Sequence, residues 1–239
     1  MLWKIGETMT MVPLRGNGIR SMICAVANGD TELRGAPFGR PVVPLVRMTE
    51  PPALLGAGSG KEAAAYIKAH YGDKKEIKVA IINYKAQLPP ESNARQDGFW
   101  NEIKDIPGVT LVAEASSPVA EEAIKKAADI ITAHPDLDVM YGCNAGGLIG
   151  AVLAVKNSGK KIAVFGIDLD KQIVGFLQSK DDILQASTAQ DPFKIGALSM
   201  EFAIKSVKGE PVDKKVIVPG LTLSRTDAAA VAEYAKTVK

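Results

Sequence analysis

The feature that most constrains the fold is a regular alternation of apolar segments with helical segments, which runs from about residue 60 to the end of the 239-residue chain. The first predicted strand of this pattern is residues 78–84, an apolar run rich in β-branched side chains. The helix predicted after it is residues 92–106, where Phe99 and Ile103 fall on one helical stripe. Short apolar runs between polar residues predict buried strands, and apolar residues at helical spacing predict amphipathic helices.

The same pattern recurs along the chain. Further strands are predicted at residues 109–115, 138–143, 161–166 and 183–188, with a last extended segment at 215–224. Further helices are predicted at residues 118–133, where Ser117 is the expected cap, and at 147–157, 171–179, 191–209 and 228–236. Strands and helices that alternate through short connections imply parallel pairing with right-handed crossovers, and uniformly apolar strands suit a sheet covered on both faces. The predicted fold class is α/β, a three-layer doubly wound parallel sheet.

The first 52 residues differ from the rest of the chain: they are rich in Gly, Pro, Arg and Met and show little sustained periodicity. Strands are predicted there only at residues 19–27 and 41–46.

The stretch from Gly56 to Lys61 resembles a phosphate-binding loop at first sight. Its glycine spacing is one residue short, however, and Glu62 stands where that loop needs Ser or Thr. We expect this stretch to be a flexible entry to a helix at residues 61–71.

Composition excludes several classes of protein. Lys and Arg number 29 and Asp and Glu 27, which gives a formal net charge of +2 and argues against a nucleic-acid partner. No apolar stretch has the length of a membrane helix, and no signal peptide is readable at the N-terminus. Cys24 and Cys143 are too far apart for CxxC chemistry, so we interpret them as two small buried side chains and leave a disulfide open.

Ligands of open parallel sheets bind beyond the carboxyl ends of the strands. Four long polar side chains are predicted at this edge, each from a separate crossover, and two hydroxyls follow the second strand: Arg95, Asn144, Asp168 and Gln190, with Ser116 and Ser117. A carboxylate accepts hydrogen bonds from adjacent hydroxyls, an arginine donates to oxygens, and Asn and Gln do both. The set suits a neutral polyhydroxylated ligand. Helix capping and strand termination remain open as structural roles for the same residues.

Catalytic motifs are missing from the sequence. Neither GxSxG nor HExxH occurs, and the only histidines, His70 and His134, lie near predicted helix ends. We therefore predict a protein that is not an enzyme and that holds no metal.

Four segments, in their order and spacing, resemble the type 1 periplasmic binding proteins, specifically the ribose-binding group. They are ARQDGF (94–99), ITAHPDLDVMYGCN (131–144), VFGIDLD (164–170) and QDPFKIG (190–196). The resemblance covers about residues 53–225. It implies a complete C-terminal sugar-binding lobe at residues 53–189 and a partial or aberrant N-terminal lobe at 1–52. Residues 190–239 are then expected to recross the hinge and return to the N-terminal lobe.

In that family two α/β lobes close on a sugar. The resemblance assigns ligand roles to Arg95, Asn144, Asp168 and Gln190, and to Arg47 within the segment PVVPLVRM (41–48). It implies a receptor subunit of an ABC-type sugar transporter that binds a monosaccharide or similar small polyol. It also implies a monomer without a cofactor, located in the periplasm or at the cell surface, that docks on a membrane permease.

Two other functions remain open. The effector-binding domain of a lactose-repressor-type transcription regulator, without its DNA-binding headpiece, shares the expected fold, but residues 1–50 do not read as a helix-turn-helix. A nucleotide-dependent α/β enzyme would need a glycine fingerprint after the first strand, and NYKAQLPPES (83–92) does not supply one.

Overall fold

The computed structural model describes the backbone of residues 3–5, 9–13, 22–26 and 46–49, and residues 51–208, 210–213 and 215–238 with all side chains except Val207 and Lys215. Contacts divide the chain into two units. The small unit is Met1–Pro51 with Asp191–Pro219, and the large unit is Pro52–Gln190 with Gly220–Lys239.

The described strands are β1 (Trp3–Ile5), β2 (Met9–Pro13), β3 (Met22–Val26), β4 (Val46–Thr49), β5 (Ile77–Asn83), β6 (Val109–Ser116), β7 (Val139–Gly142), β8 (Ala163–Ile167), β9 (Leu184–Ala189), β10 (Lys215–Ile217) and β11 (Leu221–Ser224). The described helices are α1 (Pro52–His70), α2 (Pro89–Ile103), α3 (Ala120–Ala133), α4 (Ala145–Ser158), α5 (Lys171–Gln178), α6 (Pro192–Val207) and α7 (Ala228–Ala235).

The large unit is built on one six-stranded sheet with the order β11-β9-β8-β7-β5-β6. β6, β5, β7, β8 and β9 pair in parallel, and β11 adds an antiparallel edge strand beside β9. The predicted α/β fold with a parallel sheet is confirmed. Its five parallel strands end at one edge, which we call the carboxyl edge; the opposite edge, where they begin, is the amino edge.

Helices cover both faces of this sheet, which makes the three predicted layers. On one face α1 and α2 pack on Val79, Tyr141 and Phe165, and the ring of Phe99 stacks on Tyr141 with the centroids 3.9 Å apart. On the other face α3, α4, α5 and α7 enclose a second core around Met140. Because both faces are buried, the strands carry apolar side chains on both sides, as the sequence indicated.

The Gly-rich stretch from Gly56 to Gly60 is helical, which corrects the expected flexible entry, since α1 already begins at Pro52. A Cβ at Gly56 would collide with the carbonyl oxygen of Arg95 in α2, and one at Gly98 would collide with the carbonyl oxygen of Ala53. The glycines therefore let the two helix backbones approach closely. This packing outweighs the low helix propensity of glycine.

Two further details differ from the sequence predictions. The N-cap of α3 is Val119, without a side-chain cap, because the Ser117 hydroxyl donates to the Val119 carbonyl oxygen at 3.0 Å and to Glu122 Oε2 at 3.2 Å.

The extended segment at residues 215–224 is two strands, β10 and β11, which belong to different sheets. Pro219 and Gly220, both poorly suited to strand interiors, separate them.

The small unit contains a sheet with the order β1-β2-β3-β4-β10, antiparallel except for the parallel pair β4–β10, and α6 packs on β3 and β4. β3 lies within the strand expected at residues 19–27. β4 begins where the strand expected at 41–46 was to end, and residues 41–45 lie outside the described part of the chain.

The return segment differs from our expectation that residues 190–239 pack on the N-terminal lobe. Gly220–Lys239 belongs to the large unit, where β11 pairs with β9 and α7 packs on α5. Arg225 holds this segment on the large unit. Its Nε donates to the carbonyl oxygen of Leu184 at 2.8 Å, its Nη1 to the carbonyl oxygen of Ser179 at 2.5 Å, and its Nη2 to the carbonyl oxygen of Phe176 at 2.7 Å.

Candidate functional site

Arg95 lies in α2 and is buried, with 3% of its surface exposed. α2 begins at Pro89, so Arg95 is in its second turn rather than in the first turn of the helix that we predicted. Its Nη1 donates to the carbonyl oxygen of Cys143 at 2.8 Å, which places the guanidinium at the end of β7. Its Nε is 3.9 Å from Glu91 Oε1 and makes no hydrogen bond within the described residues.

Asn144 follows β7 and is the N-cap of α4. Its Oδ1 accepts from the backbone N–H of Gly147 at 2.9 Å, and its Nδ2 donates to the carbonyl oxygen of Pro118 at 2.9 Å. The structural role that we left open for this residue is therefore real. An asparagine amide has two N–H groups and two acceptor lone pairs, so these two bonds leave one of each.

Asp168 follows β8 and has a backbone φ of 85°, a conformation that favours glycine and costs of order 1 kcal/mol for other residues. Its Oδ2 accepts from the backbone N–H of Ala145 at 2.8 Å, and its carbonyl oxygen accepts from the Ser187 hydroxyl at 2.6 Å. These bonds fix both the side chain and the strained backbone.

Arg95 and Asp168 thus contact the residues on either side of Asn144. The structure brings these three predicted site residues together at one short backbone stretch, residues 143–145. Parallel strands produce this convergence, because β5, β7 and β8 are neighbours and end at the same edge.

Gln190 directly follows β9, the strand beside β8. The structure shows no bond between it and the other three residues, and its Nε2 is buried without a hydrogen-bond partner among the described residues. The fifth predicted residue, Arg47, lies in β4 of the small unit, where its backbone pairs with Lys215 and Ile23. The side chain of Arg47 lies outside the part of the chain that the structure describes.

The two predicted serines serve the fold. Ser116 Oγ accepts from the backbone N–H of Ala86 at 3.2 Å, and Ser117 is fully buried with its hydroxyl already engaged beside α3. Their short side chains lie next to loop backbone at the end of β6, which satisfies them locally.

Two polar features of the carboxyl edge escaped sequence reasoning. One is a network in which Glu114 accepts from Asn83 at 3.3 Å, from Gln96 at 2.6 Å and from Lys85 at 2.7 Å. The other is Tyr84, which the sequence indicated only as the last residue of a buried strand. Its position could have identified it from the sequence, because Tyr84 has a polar hydroxyl and directly follows a strand that ends at this edge.

No cofactor or metal site is indicated by the described residues. They contain no group of three or more His, Cys, Asp or Glu side chains suited to hold a metal ion, and none of their helices is long and apolar enough to cross a bilayer. Cys143 is a buried free thiol whose pKa is raised by burial, so it is unreactive. The side chain of Cys24 lies outside the described residues.

A cavity of about 430 Å³ is present in the large unit, but at its amino edge. It lies between the ends of α1 and α2, where Ile67, Tyr71 and Glu102 line it beside the start of β5. The polar residues described above are at the other end of the strands, so this cavity is separate from the candidate site.

Comparison with known proteins places these features in a family. Residues 57–211 match the family described as periplasmic binding protein domain. The ABC transporter periplasmic-binding protein YphF of Escherichia coli is 31% identical over 169 residues, which cover 70% of this chain and 50% of that protein. The ribose import binding protein RbsB of Bacillus subtilis is 30% identical over 162 residues, which cover 67% of this chain and 50% of that protein.

Solved structures agree with this assignment. A carbohydrate transporter solute binding protein from Agrobacterium radiobacter, in complex with D-arabinose, superposes with a TM-score of 0.64 at 25% identity over 78% of this chain and 64% of that chain. The present chain spans about half the length of the curated relatives that it matches. Because the match covers more than half of this chain, the chain belongs to the periplasmic binding protein domain family.

Proposed function

We propose that the chain is the solute-binding subunit of an ABC-type sugar importer and that the carboxyl edge of its large unit holds a monosaccharide or similar small polyol. The observation that carries the proposal is the convergence of Arg95, Asn144 and Asp168 on residues 143–145. Gln190, at the end of the next strand, completes the proposed set.

The unused hydrogen-bonding capacity of these groups suits a sugar. Asp168 uses one of its acceptor sites on Ala145, and the others are available to ligand hydroxyls. Arg95 supplies donors, and Asn144 and Gln190 supply both donors and acceptors. Neighbouring sugar hydroxyls need this mixture, because each donates one hydrogen bond and accepts others.

The names of the relatives support the transport part of the proposal. YphF is named as an ABC transporter periplasmic-binding protein, RbsB as a ribose import binding protein, and the Agrobacterium structure contains D-arabinose. We include in the proposal delivery of the sugar to a membrane permease, a periplasmic or cell-surface location, and action as a monomer without catalysis or a cofactor.

The test is thermal unfolding of the 239-residue chain with a panel of pentoses and hexoses that includes D-ribose and D-arabinose. A sugar at 100 times its Kd stabilises the folded state by about 2.7 kcal/mol, which corresponds to a rise in Tm of roughly 5–10 °C. Asp168→Ala should abolish this rise. Asp168→Asn should also weaken binding strongly, and Asn tolerates positive φ, so its fold is retained.

The matched control is Asp170→Ala, two residues away. Asp170 caps α5 by accepting from the Ile173 N–H at 2.8 Å, so its loss should cost about 1 kcal/mol of stability and leave sugar binding intact. No Tm rise with any sugar, or normal binding by both Asp168 variants, would overturn the proposal.

A further inference from the structure

Unpaired polar atoms concentrate at the carboxyl edge of the large unit. Three side-chain atoms there are buried and have no hydrogen-bond partner among the described residues: Arg95 Nε, Gln190 Nε2 and Tyr84 Oη. Two of them belong to residues of the proposed sugar site. The third belongs to Tyr84, which neither the sequence nor the family resemblance assigns to it.

Tyr84 is held in place by its own backbone. Its N–H donates to the Ser92 hydroxyl at 3.0 Å, and its carbonyl oxygen accepts from the N–H groups of Gln87 at 3.1 Å and Leu88 at 3.2 Å. The side chain is 5% exposed. These bonds fix the main chain of Tyr84 directly after β5, and its buried hydroxyl has no hydrogen-bond partner among the described residues.

The ring lies against the proposed ligand arginine. Cζ of Arg95 is 5.7 Å from the centroid of the Tyr84 ring, within the range of a cation–π contact. The same guanidinium is held on another side by the Cys143 carbonyl oxygen. The Tyr84 ring is thus a direct neighbour of the Arg95 guanidinium.

Electrostatics also connect Tyr84 with the site. The pKa of the buried Tyr141 hydroxyl is raised mainly by burial; Arg95 acts against the rise, and Tyr84 and Asp168 add to it. The Tyr141 hydroxyl also donates to the backbone carbonyl oxygen of Arg95 at 3.4 Å, which links β7 directly to the helix turn that carries the proposed ligand arginine.

A buried hydroxyl without a partner is unfavourable for the fold, so its retention needs a reason. Building on the function proposed above, we propose that Tyr84 determines sugar specificity at this site. Its hydroxyl forms a hydrogen bond with one hydroxyl of the bound sugar, next to the oxygen that Arg95 contacts. A sugar that lacks this hydroxyl leaves Tyr84 unpaired and is rejected.

The experiment compares wild type with Tyr84→Phe, which keeps the ring and removes only the hydroxyl. The matched control is Tyr71→Phe at the amino edge, where the Tyr71 hydroxyl donates to the Asp138 carbonyl oxygen at 3.5 Å. Binding is measured by calorimetry with D-ribose or D-arabinose, whichever gives wild type the larger Tm rise, and with monodeoxy analogues of that sugar. Unfolding of each free protein is measured in parallel.

We expect Tyr84→Phe to weaken binding of the parent sugar roughly two- to tenfold. One monodeoxy analogue should bind wild type more weakly than the parent, and Tyr84→Phe should not discriminate between these two sugars. The free Tyr84→Phe protein should be at least as stable as wild type, because it loses an unpaired group. Tyr71→Phe should bind every sugar as wild type does.

Three results would overturn the inference. If wild type binds sugar and Tyr84→Phe binds the parent and every analogue equally well, Tyr84 is not a contact, although the sugar site stands. If free Tyr84→Phe is less stable than wild type, the hydroxyl has a partner within the fold, such as an ordered water. If wild type binds no sugar, the proposed function and this inference fail together.

Discussion

Certain polar side chains at the two edges of the large-unit sheet differ in how completely they are paired. At the amino edge they pair with one another: Asp138 bonds Lys74 Nζ at 2.5 Å and the Lys78 backbone N–H at 2.9 Å, and Asp136 bonds Lys78 Nζ at 2.7 Å. At the carboxyl edge, Tyr84 and Gln190 keep buried polar atoms without partners among the described residues, and Asp168 has a positive φ.

This contrast shows that the hydrogen bonds of a polar side chain distinguish a structural role from a proposed ligand-binding role, which the residue type alone does not. Asp138 and Asp168 are both aspartates next to a strand of one sheet. Asp138 is satisfied within the fold and stabilises it, whereas Asp168 is strained and retains free acceptor sites. A positive φ alone does not distinguish the two edges, because Asp182, which precedes β9 at the amino edge, also has one, of 56°.

The largest effect that we expect from testing this contrast is on stability. Asp138→Ala removes two charge-assisted hydrogen bonds from a buried position, so it should lower the free energy of unfolding by about 2 kcal/mol. Urea unfolding measures the loss, and calorimetry should show unchanged sugar binding. Weakened sugar affinity in this variant would mean that the two edges are not functionally separate.

A smaller effect concerns the strain at Asp168. Asp168→Gly and Asp168→Ala both lose the carboxylate, so their difference reports the backbone alone. At a φ of 85° the glycine variant should be the more stable by about 1 kcal/mol. At Asp129, inside helix α3, the order should reverse, because glycine is a poor helix former. Equal stability of the two Asp168 variants would show that the backbone there is not strained.

The smallest effect is the pH dependence of the exposed Lys78–Asp136 pair. The hydrogen bond from Lys78 lowers the pKa of Asp136 below its usual value. As the pH falls, the unfolded chain therefore takes up a proton at Asp136 at a higher pH than the folded chain does. The stabilisation that the pair gives above about pH 4 is lost as the pH falls through the folded-state pKa of Asp136. Asp136→Asn should remove this small part of the acid dependence of Tm, and high salt should shrink it in wild type. A wild-type acid profile identical to that of Asp136→Asn would contradict the pairing.

Local pattern was sufficient to predict the parallel sheet and most helices. Uniformly apolar runs such as residues 78–84 and 138–143 need burial on both faces, and a parallel sheet with helices on each face provides it. Topology then placed Arg95, Asn144 and Asp168 at one edge without any knowledge of their contacts. Their roles as ligand residues stay predictions until binding is measured.

What the sequence did not predict depends on distant contacts. The start of α1 was missed because Gly56 and Gly60 have low helix propensity, and only the α2 backbone explains why they are there. The cap of α3 was misplaced because Ser117 finds a different partner, and the return of residues 220–239 to β9 depends on Arg225 reaching three distant carbonyl groups. Tyr84 was missed because an unpaired atom is visible only when all its neighbours are known.

The glycine contact between α1 and α2 has a consequence for how this protein tolerates sequence change. Gly56 touches the main chain of Arg95 itself, so an added methyl group there must push that turn of α2 outward and carry the guanidinium with it. Both glycines set the distance between α1 and α2, the helix that carries Arg95. Under the function proposed above, natural variation at these two glycines should therefore alter affinity for the solute, although neither glycine belongs to the proposed site.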